Sequence, residues 1–525
     1  MVHQECCMES GSKRILAVGI MALALTAELC CLRVPADTTK VLEGNLLKIT
    51  TVSDYEAGSL SGLMIDSEAG DGALVLEDDR LEGSFESAVC ETDSYAQMNA
   101  CWSASVFSGS EVEVYAKARI DGEWTEYLTW GPYTPFKDRG TKEGKTDERA
   151  FVDQDTFCME EGLEADAVQM KVVLRRSSLT KESPIVQMIS MTFRGGEMKP
   201  AYDLEKTEQI PDRVLIEAPA YSQSIRDPYI SHDICSPTVM TVMINSRAPE
   251  LGILPDEFAI NVRDEGEEIF GSWSFCVAGA GLYGFEAYTL FGGLDCILQE
   301  LAQGRTVGIN VRYTNLKDTD APYLDGVFDR TSSGHLICLI GYEYEYGIRD
   351  EDHLYFFSSD SYGERDQTCY RRYKWSQLKD CFQGMVYIIP ENERSLSGDR
   401  APGVLRVEAE LVKDPERDDT WILRTDEGDV DMERFVTGAG ILALSVSPVP
   451  EAAPHSTDHS ICYEKPMFTE ANQPFSYDVI LRRDGSLVLN RERALNSLGV
   501  EDNGQELLIY AISDRGVCFK AVLPE

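Results

Sequence analysis

His335-Leu336-Ile337-Cys338-Leu339-Ile340-Gly341-Tyr342 and His353-Leu354-Tyr355-Phe356-Phe357-Ser358-Ser359-Asp360 are the two stretches on which the fold turns. Both are runs of apolar, aromatic and β-branched residues of strand length. Between them lies Glu343-Tyr344-Glu345-Tyr346-Gly347-Ile348-Arg349-Asp350, a polar stretch whose glycine can supply a turn. The pair therefore reads as an antiparallel hairpin folded about Gly347. Counted from that glycine, His335 and Asp360 are equidistant to within a residue, which places them facing each other at the open end. Side chains alternate between sheet faces, so a slip of one residue would send one of the two to the far side.

Upstream, Cys235-Ser236-Pro237-Thr238 precedes the apolar Val239-Met240-Thr241-Val242-Met243-Ile244. A proline is tolerated in the first turn of a helix, because the N–H it lacks would have had no partner there. Cys235 is then expected at the positive end of a helix, where the dipole and free backbone N–H groups favour a thiolate over a thiol of ordinary pKa ~8.5. Gln223, in Tyr221-Ser222-Gln223, is placed to turn a side-chain N–H toward an oxyanion, with the backbone N–H of Cys235 as a second donor. Thiol, imidazole and carboxylate in this order can serve as nucleophile, base and orienting acid. His232 rivals His335 as a base only by its nearness to Cys235 in sequence, and its loop is expected to be exposed. Trp273, in Gly271-Ser272-Trp273-Ser274-Phe275, either lines a substrate groove or packs in a core.

Tyr221-Ser222-Gln223, Cys235-Ser236-Pro237-Thr238, Gly271-Ser272-Trp273, Gly334-His335-Leu336-Ile337 and Asp360, in that order, resemble the papain-like bacteriocin-processing (double-glycine) cysteine peptidases, in their stand-alone C-thirty-nine-like branch. The resemblance runs from about Ile216 to Pro390. It implies a papain-like α+β domain in which Gln223 is the oxyanion residue, Cys235 the nucleophile, His335 the general base and Asp360 the residue that orients it. The family often has Asn-Asp-Pro around the third member, whereas this chain has Ser359-Asp360-Ser361, which implies a less rigid loop. Tyr229-Ile230-Ser231-His232-Asp233 matches no pattern of the family.

At 525 residues the chain is long enough for about three domains, and 43% apolar residues argue against general disorder. A formal charge of −42 speaks against nucleic acid or an anionic membrane as partner and suits solubility outside a cell. Lys13-Arg14 ahead of the apolar run Ile15 to Ala27, with the small residues of Ala22-Leu23-Ala24, reads as an export signal within 1–34. Cys30 and Cys31 would allow a lipid anchor, but Ala27-Glu28-Leu29 suits lipoprotein processing poorly. Fifteen cysteines leave eleven once Cys6, Cys7, Cys30 and Cys31 go with a leader, and Cys90 with Cys101 is the first pair to test for a disulfide. No Cys-x-x-Cys spacing suggests zinc. His455 and His459 lie in a proline-rich loop, and Asp426-Glu427-Gly428-Asp429-Val430-Asp431 lacks EF-hand spacing, so no metal or other cofactor is expected.

Residues 37–198 read as a β-sandwich, from alternating runs such as Val112 to Arg119 and Gln169 to Arg176 separated by Gly, Asp and Ser clusters. Pro200 to Pro219 reads as a linker, 211–391 as the α+β domain, and 402–525 as a β-rich domain with a hairpin signal at Asp484-Gly485. No Gly-rich phosphate loop is present, so the ATPase of the exporter-borne peptidases is missing. The expectation is an exported or cell-surface cysteine peptidase that acts on a peptide or protein as a monomer, through a thioester on Cys235. A catalytically inactive binding protein of the same fold, or a thiol acyltransferase or amidase, is the alternative.

Overall fold

Val112 to Arg119 alternates apolar and polar residues, as a strand with one wet face must. In the computed structural model it lies within a long antiparallel strand. The structure describes residues 44–390 apart from 69–70, 108, 135–138, 197, 203–208, 226–229, 318 and 329–330, and strand segments between 405 and 523. The leader reading, His455, His459 and most of the acidic turn at Asp426 lie outside the described residues.

Six strands carry the amino-terminal domain: β1 (Gln97–Ser105), β2 (Ser110–Ile120), β3 (Ala150–Asp153), β4 (Thr156–Met159), β5 (Ala165–Arg176) and β6 (Ile185–Arg194). β2 pairs with β5, Lys117 opposite Gln169, at the centre of one seven-stranded sheet. β1 pairs with β6, Cys101 opposite Ser190, in a second of equal size. The two sheets enclose a core that includes Trp102, Val114, Met170 and Phe193. β2 alternates between buried and half-buried positions, whereas β1 and β6 are buried on both faces nearly throughout. A strand buried on both faces needs a cover on each, and the outer cover here is the next domain. The ring of Trp102 meets that of Phe275 edge-on at 6.0 Å. The Thr289 hydroxyl donates to Asn99 at 2.6 Å, and the Ser274 hydroxyl donates to the carbonyl of Ala100 at 2.6 Å. Cys90 and Cys101 are both free, contrary to the expected pairing. Cys90 lies on a strand of the β2–β5 sheet, while Cys101, on β1, turns its sulfur to Thr289 of the next domain.

The central domain is built from α1 (Cys235–Arg247), α2 (Pro255–Val262), α3 (Trp273–Leu282), α4 (Leu294–Ala302) and α5 (Trp375–Cys381) around one antiparallel sheet. Its strands are β7 (Arg213–Leu215), β8 (Tyr288–Phe291), β9 (Val307–Thr314), β10 (Thr331–Tyr344), β11 (Leu354–Asp360), β12 (Tyr370–Lys374) and β13 (Phe382–Ile388). The order is β8-β13-β9-β10-β11-β12, with β7 added beside β10. β7 falls in the stretch read as a linker, and that reading is corrected: Val214 pairs with Tyr342, so the segment completes the sheet. Gly341 makes this approach feasible, since a Cβ there would stand 2.3 Å from the carbonyl oxygen of Val214. α1 is buried from Ser236 to Asn245, packed between β10 and the helices α2 and α3. Its hydroxyls are satisfied inside the helix, Thr238 donating to Ile234 and Thr241 to Pro237.

Beyond 405, nine strands form one further sheet. Val479–Leu481 and Ser486–Leu489 are hairpin partners there, and Leu507–Ser513 pairs with Val517–Leu523. The molecule is thus mostly β, with few helices, in several domains. Among the described residues no helix is long and apolar enough to cross a membrane.

Gly281 of α3 rests on β1 so closely that a Cβ would stand 2.6 Å from the amide nitrogen of Ala104. Gly281→Val should therefore push the two domains apart and lower stability by about 1–3 kcal/mol, as overpacking does. Urea unfolding would show a lower midpoint at unchanged slope; an unshifted midpoint would mean that the helix is not pressed on the strand.

Candidate active site

The hairpin of β10 and β11 turns later than the glycine suggests. Tyr344 is opposite Leu354, and the connection spans the residues between them, with Tyr346 at φ 58° and Gly347 at φ 69°. The hairpin is therefore centred near Arg349, and Asp360 faces Ile337 rather than His335. This corrects the expected register by two residues, an even number, so the face is kept.

A β-bulge secures that result. Leu339 pairs with Ser358 and Gly341 with Phe357, which leaves Ile340 as an extra residue in β10. Without it Asp360 would sit opposite Cys338. Leu336, Cys338 and Ile340 face the core shared with α1, while Ile337 and Leu339 face the opposite core. Past the bulge the phase inverts, and Tyr342 lies on the side of Ile337. The inserted residue thus keeps the Asp360 carboxylate on the sheet face of His335.

His335 Nε2 lies 2.8 Å from Asp360 Oδ1, and both side chains are buried. The carboxylate also accepts the Tyr362 N–H at 3.0 Å and the Tyr373 hydroxyl at 2.5 Å. Tyr362 stacks on the imidazole at 4.0 Å between centroids and 7° between planes, and Tyr313 meets it edge-on. Burial pushes the imidazole down, but the charge and hydrogen bond of Asp360, followed by those of Cys235, outweigh it and raise His335 to about 9. Burial likewise pushes Asp360 up, yet the His335 charge and three hydrogen bonds hold its carboxyl below the usual range. With Nε2 committed to Asp360, the other ring nitrogen, Nδ1, has no regular hydrogen bond and is the atom left to interact with the Cys235 sulfur.

Cys235 is the first residue of α1 and is half-buried. Ile234, which precedes it, offers no side-chain cap, so the opening N–H groups of the helix are not used by a capping side chain. The following residue is held firmly: the Ser236 hydroxyl lies 2.7 Å from that of Tyr387 and 3.2 Å from the sulfur of Cys276. Gln223 is buried, and its amide orientation follows from its neighbours. The carbonyl of Ser231, 2.7 Å away, can only accept, so the nitrogen faces it and the oxygen takes the Ser361 hydroxyl at 2.5 Å. One N–H of Gln223 is thereby engaged and the second is left over. The backbone N–H of Gln223 donates to the carbonyl of Ser361 at 2.9 Å. Where a proline would stiffen the loop after the acid by its ring, Ser361 ties it to Gln223 by two hydrogen bonds.

Trp273 opens α3, with its ring 4.2 Å from that of Tyr387, and it also borders a cavity of about 630 Å³. It therefore serves both alternatives left open for it. His232 is exposed and pairs with Asp233 at 3.2 Å. Sequence reasoning missed Tyr362, Tyr373 and Ser361. Tyr362 and Ser361 stand next to Asp360 in the chain and could have been suspected from that alone; Tyr373 arrives from the neighbouring strand and carries no local signal. Among the described residues no group of three or more His, Cys, Asp and Glu side chains could hold a metal ion.

Residues 46–193 match the family model described as Peptidase C39 N-terminal domain. Residues 215–389 match the Peptidase_C39 like family. The second match contains Gln223, Cys235, Trp273, His335 and Asp360. No curated protein matches the chain.

A folded-state pKa of about 9 for His335, against ~6.5 unfolded, means that its charged pairing stabilises the fold fully below pH ~6.5 and ceases to do so as the pH rises through 9. Asp360→Asn should thus lower stability by about 3 kcal/mol near pH 6, and the gap to wild type should narrow above pH 9. Urea unfolding across that range checks it; a gap that stays constant with pH would show that the pair is not charged.

Proposed function

On the premise that residues 46–193 and 215–389 are domains of the Peptidase C39 families, we propose that the chain is a cysteine peptidase that cleaves peptide bonds through a thioester on Cys235. The observation that carries the reading is the buried His335–Asp360 pair, whose second ring nitrogen is left to the sulfur at the start of α1. A nucleophile on a helix set against a base and an acid on an antiparallel sheet is the papain-like division of labour.

The imidazolium of His335 has an N–H on each nitrogen. One donates to Asp360, and the other pairs with the Cys235 thiolate, which is the competent nucleophile. The sulfur attacks the carbonyl carbon of the scissile bond. The resulting oxyanion takes the remaining N–H of Gln223 and the backbone N–H of Cys235. As the C–N bond breaks, His335 passes its Nδ1 proton to the leaving amine, and the acyl group stays on sulfur as a thioester. Water then attacks, giving its proton to His335, and the carboxylic acid leaves as the C–S bond breaks. Throughout, Asp360 keeps the ring oriented and stabilises its charge, with Tyr373 and Tyr362 satisfying the rest of the carboxylate. The basic-then-apolar order of residues 13–27 supports the further reading that this chemistry takes place outside the cytoplasmic membrane.

Cys235→Ala and His335→Ala are each expected to abolish peptide hydrolysis in protein that stays folded. Iodoacetamide should alkylate wild-type Cys235 rapidly near neutral pH and the His335→Ala protein slowly. Unimpaired hydrolysis by Cys235→Ala would falsify the assignment, and an unreactive Cys235 would favour an inactive binding domain. Gln223→Ala should lower kcat by about 10²–10³ while leaving the alkylation rate unchanged, since an oxyanion donor acts on the transition state and not on the thiol.

A further inference from the structure

The cavity beside Trp273 lies between the two domains. Gln97, Asp153 and Thr156 line it from the amino-terminal side, and Trp273, Arg312 and Met385 from the central domain. It adjoins both halves of the proposed site. On β9, Arg312 follows Val311, which is the partner of His335. From Trp273, a ring contact with Tyr387 and the bond from Tyr387 to Ser236 lead to the neighbour of Cys235.

One residue joins the two walls. Asp155 stands in the tight turn between β3 and β4, where Gln154 adopts φ 55°. Its carbonyl oxygen accepts both Asn99 Nδ2 and Trp130 Nε1 at 2.6 Å. Its carboxylate is buried, takes the Thr156 hydroxyl at 3.2 Å, and accepts the backbone N–H of Trp273, the first residue of α3. The opening N–H groups of a helix lack partners within it and favour negative charge. Here the acceptor comes from a different domain, and the N–H it takes belongs to the residue that forms the lip of the cavity.

We propose that the amino-terminal domain is a working part of the active site. The interdomain cavity takes a polar, extended segment of a peptide substrate on one side of the scissile bond, and Asp155 is the positioning residue that holds Trp273 at its edge. This rests on the thiol-peptidase reading. The lining suits a peptide chain: an indole for a flat contact, the Gln97 amide for backbone groups, and Asp153 and Arg312 for side chains of either charge.

The test uses the full chain and two reagents. Iodoacetamide requires only a reactive thiol, whereas a library of tetrapeptidyl acyloxymethyl ketones also requires a peptide cleft. Wild type should lose its Cys235 thiol to both. Asp155→Ala, and Asp153→Trp as a plug, should each slow ketone labelling about tenfold or more, as misplaced positioning groups do, with the iodoacetamide rate unchanged. Asp155→Asn keeps an acceptor for the Trp273 N–H and should label like wild type. Asp153 is exposed, so its variant remains informative if Asp155→Ala does not fold. Wild-type ketone labelling in Asp153→Trp overturns the role of the cavity. Wild-type labelling in Asp155→Ala, or equal loss in Asp155→Asn, overturns that of Asp155. A wild-type thiol that reacts with iodoacetamide but with no ketone overturns the inference alone. A thiol inert to iodoacetamide overturns the peptidase reading beneath it.

Discussion

The buried pairing of His335 with Asp360 is the constraint that the rest of the central domain serves. Two ionisable groups taken out of water destabilise a fold unless their remaining hydrogen-bonding capacity is met. Here Tyr373 donates to one carboxylate oxygen, the Tyr362 amide to the other, and the Tyr362 ring covers the imidazole. Each partner belongs to an element that must be in place first: Tyr373 to β12, Tyr362 to the loop closed by Ser361 and Gln223. Sheet order and loop closure are thereby coupled to the protonation of one histidine.

The bulge at Ile340 connects that chemistry to the packing. A strand of unbroken alternation would have to choose between presenting Asp360 to His335 and presenting Phe356 and Tyr342 to their present core. Inserting one residue allows both, because the phase before the bulge serves the site and the phase after it serves the core. Gly341 follows at once, and the space it leaves is taken by β7. Bulge, glycine and added strand form one local solution.

The contact between the domains has the same economy. β1 and β6 are buried on both faces, so the sandwich is covered on its outer side by α3 and β8, and the shared core runs without interruption from Trp102 to Phe275. An interface of that kind holds two domains in one orientation. It gives Asp155 a fixed place from which to meet the start of α3.

Much of the site was legible along the chain. Pro237 after Cys235 announces a helix start, because a missing N–H is harmless only there. The strands of His335 and Asp360 announce themselves by composition, and their joining by a hairpin follows from the polar stretch between them. The register was not legible, because the turn closes beyond Gly347 and because no local pattern marks Ile340 as the extra residue; strand phase depends on what each face packs against. Tyr373 and Asp155 were equally hidden, since each acts on a residue that only the assembled sheet or the docked domain brings within reach. The free state of Cys90 and Cys101 has the same origin, for consecutive strands can belong to opposite sheets. The amino-acid order by itself determined which elements form and which chemical groups stand at their ends, since propensity and alternation are local. Tertiary structure alone decided which of those groups meet, because that depends on phase, burial and contacts between segments far apart in the chain.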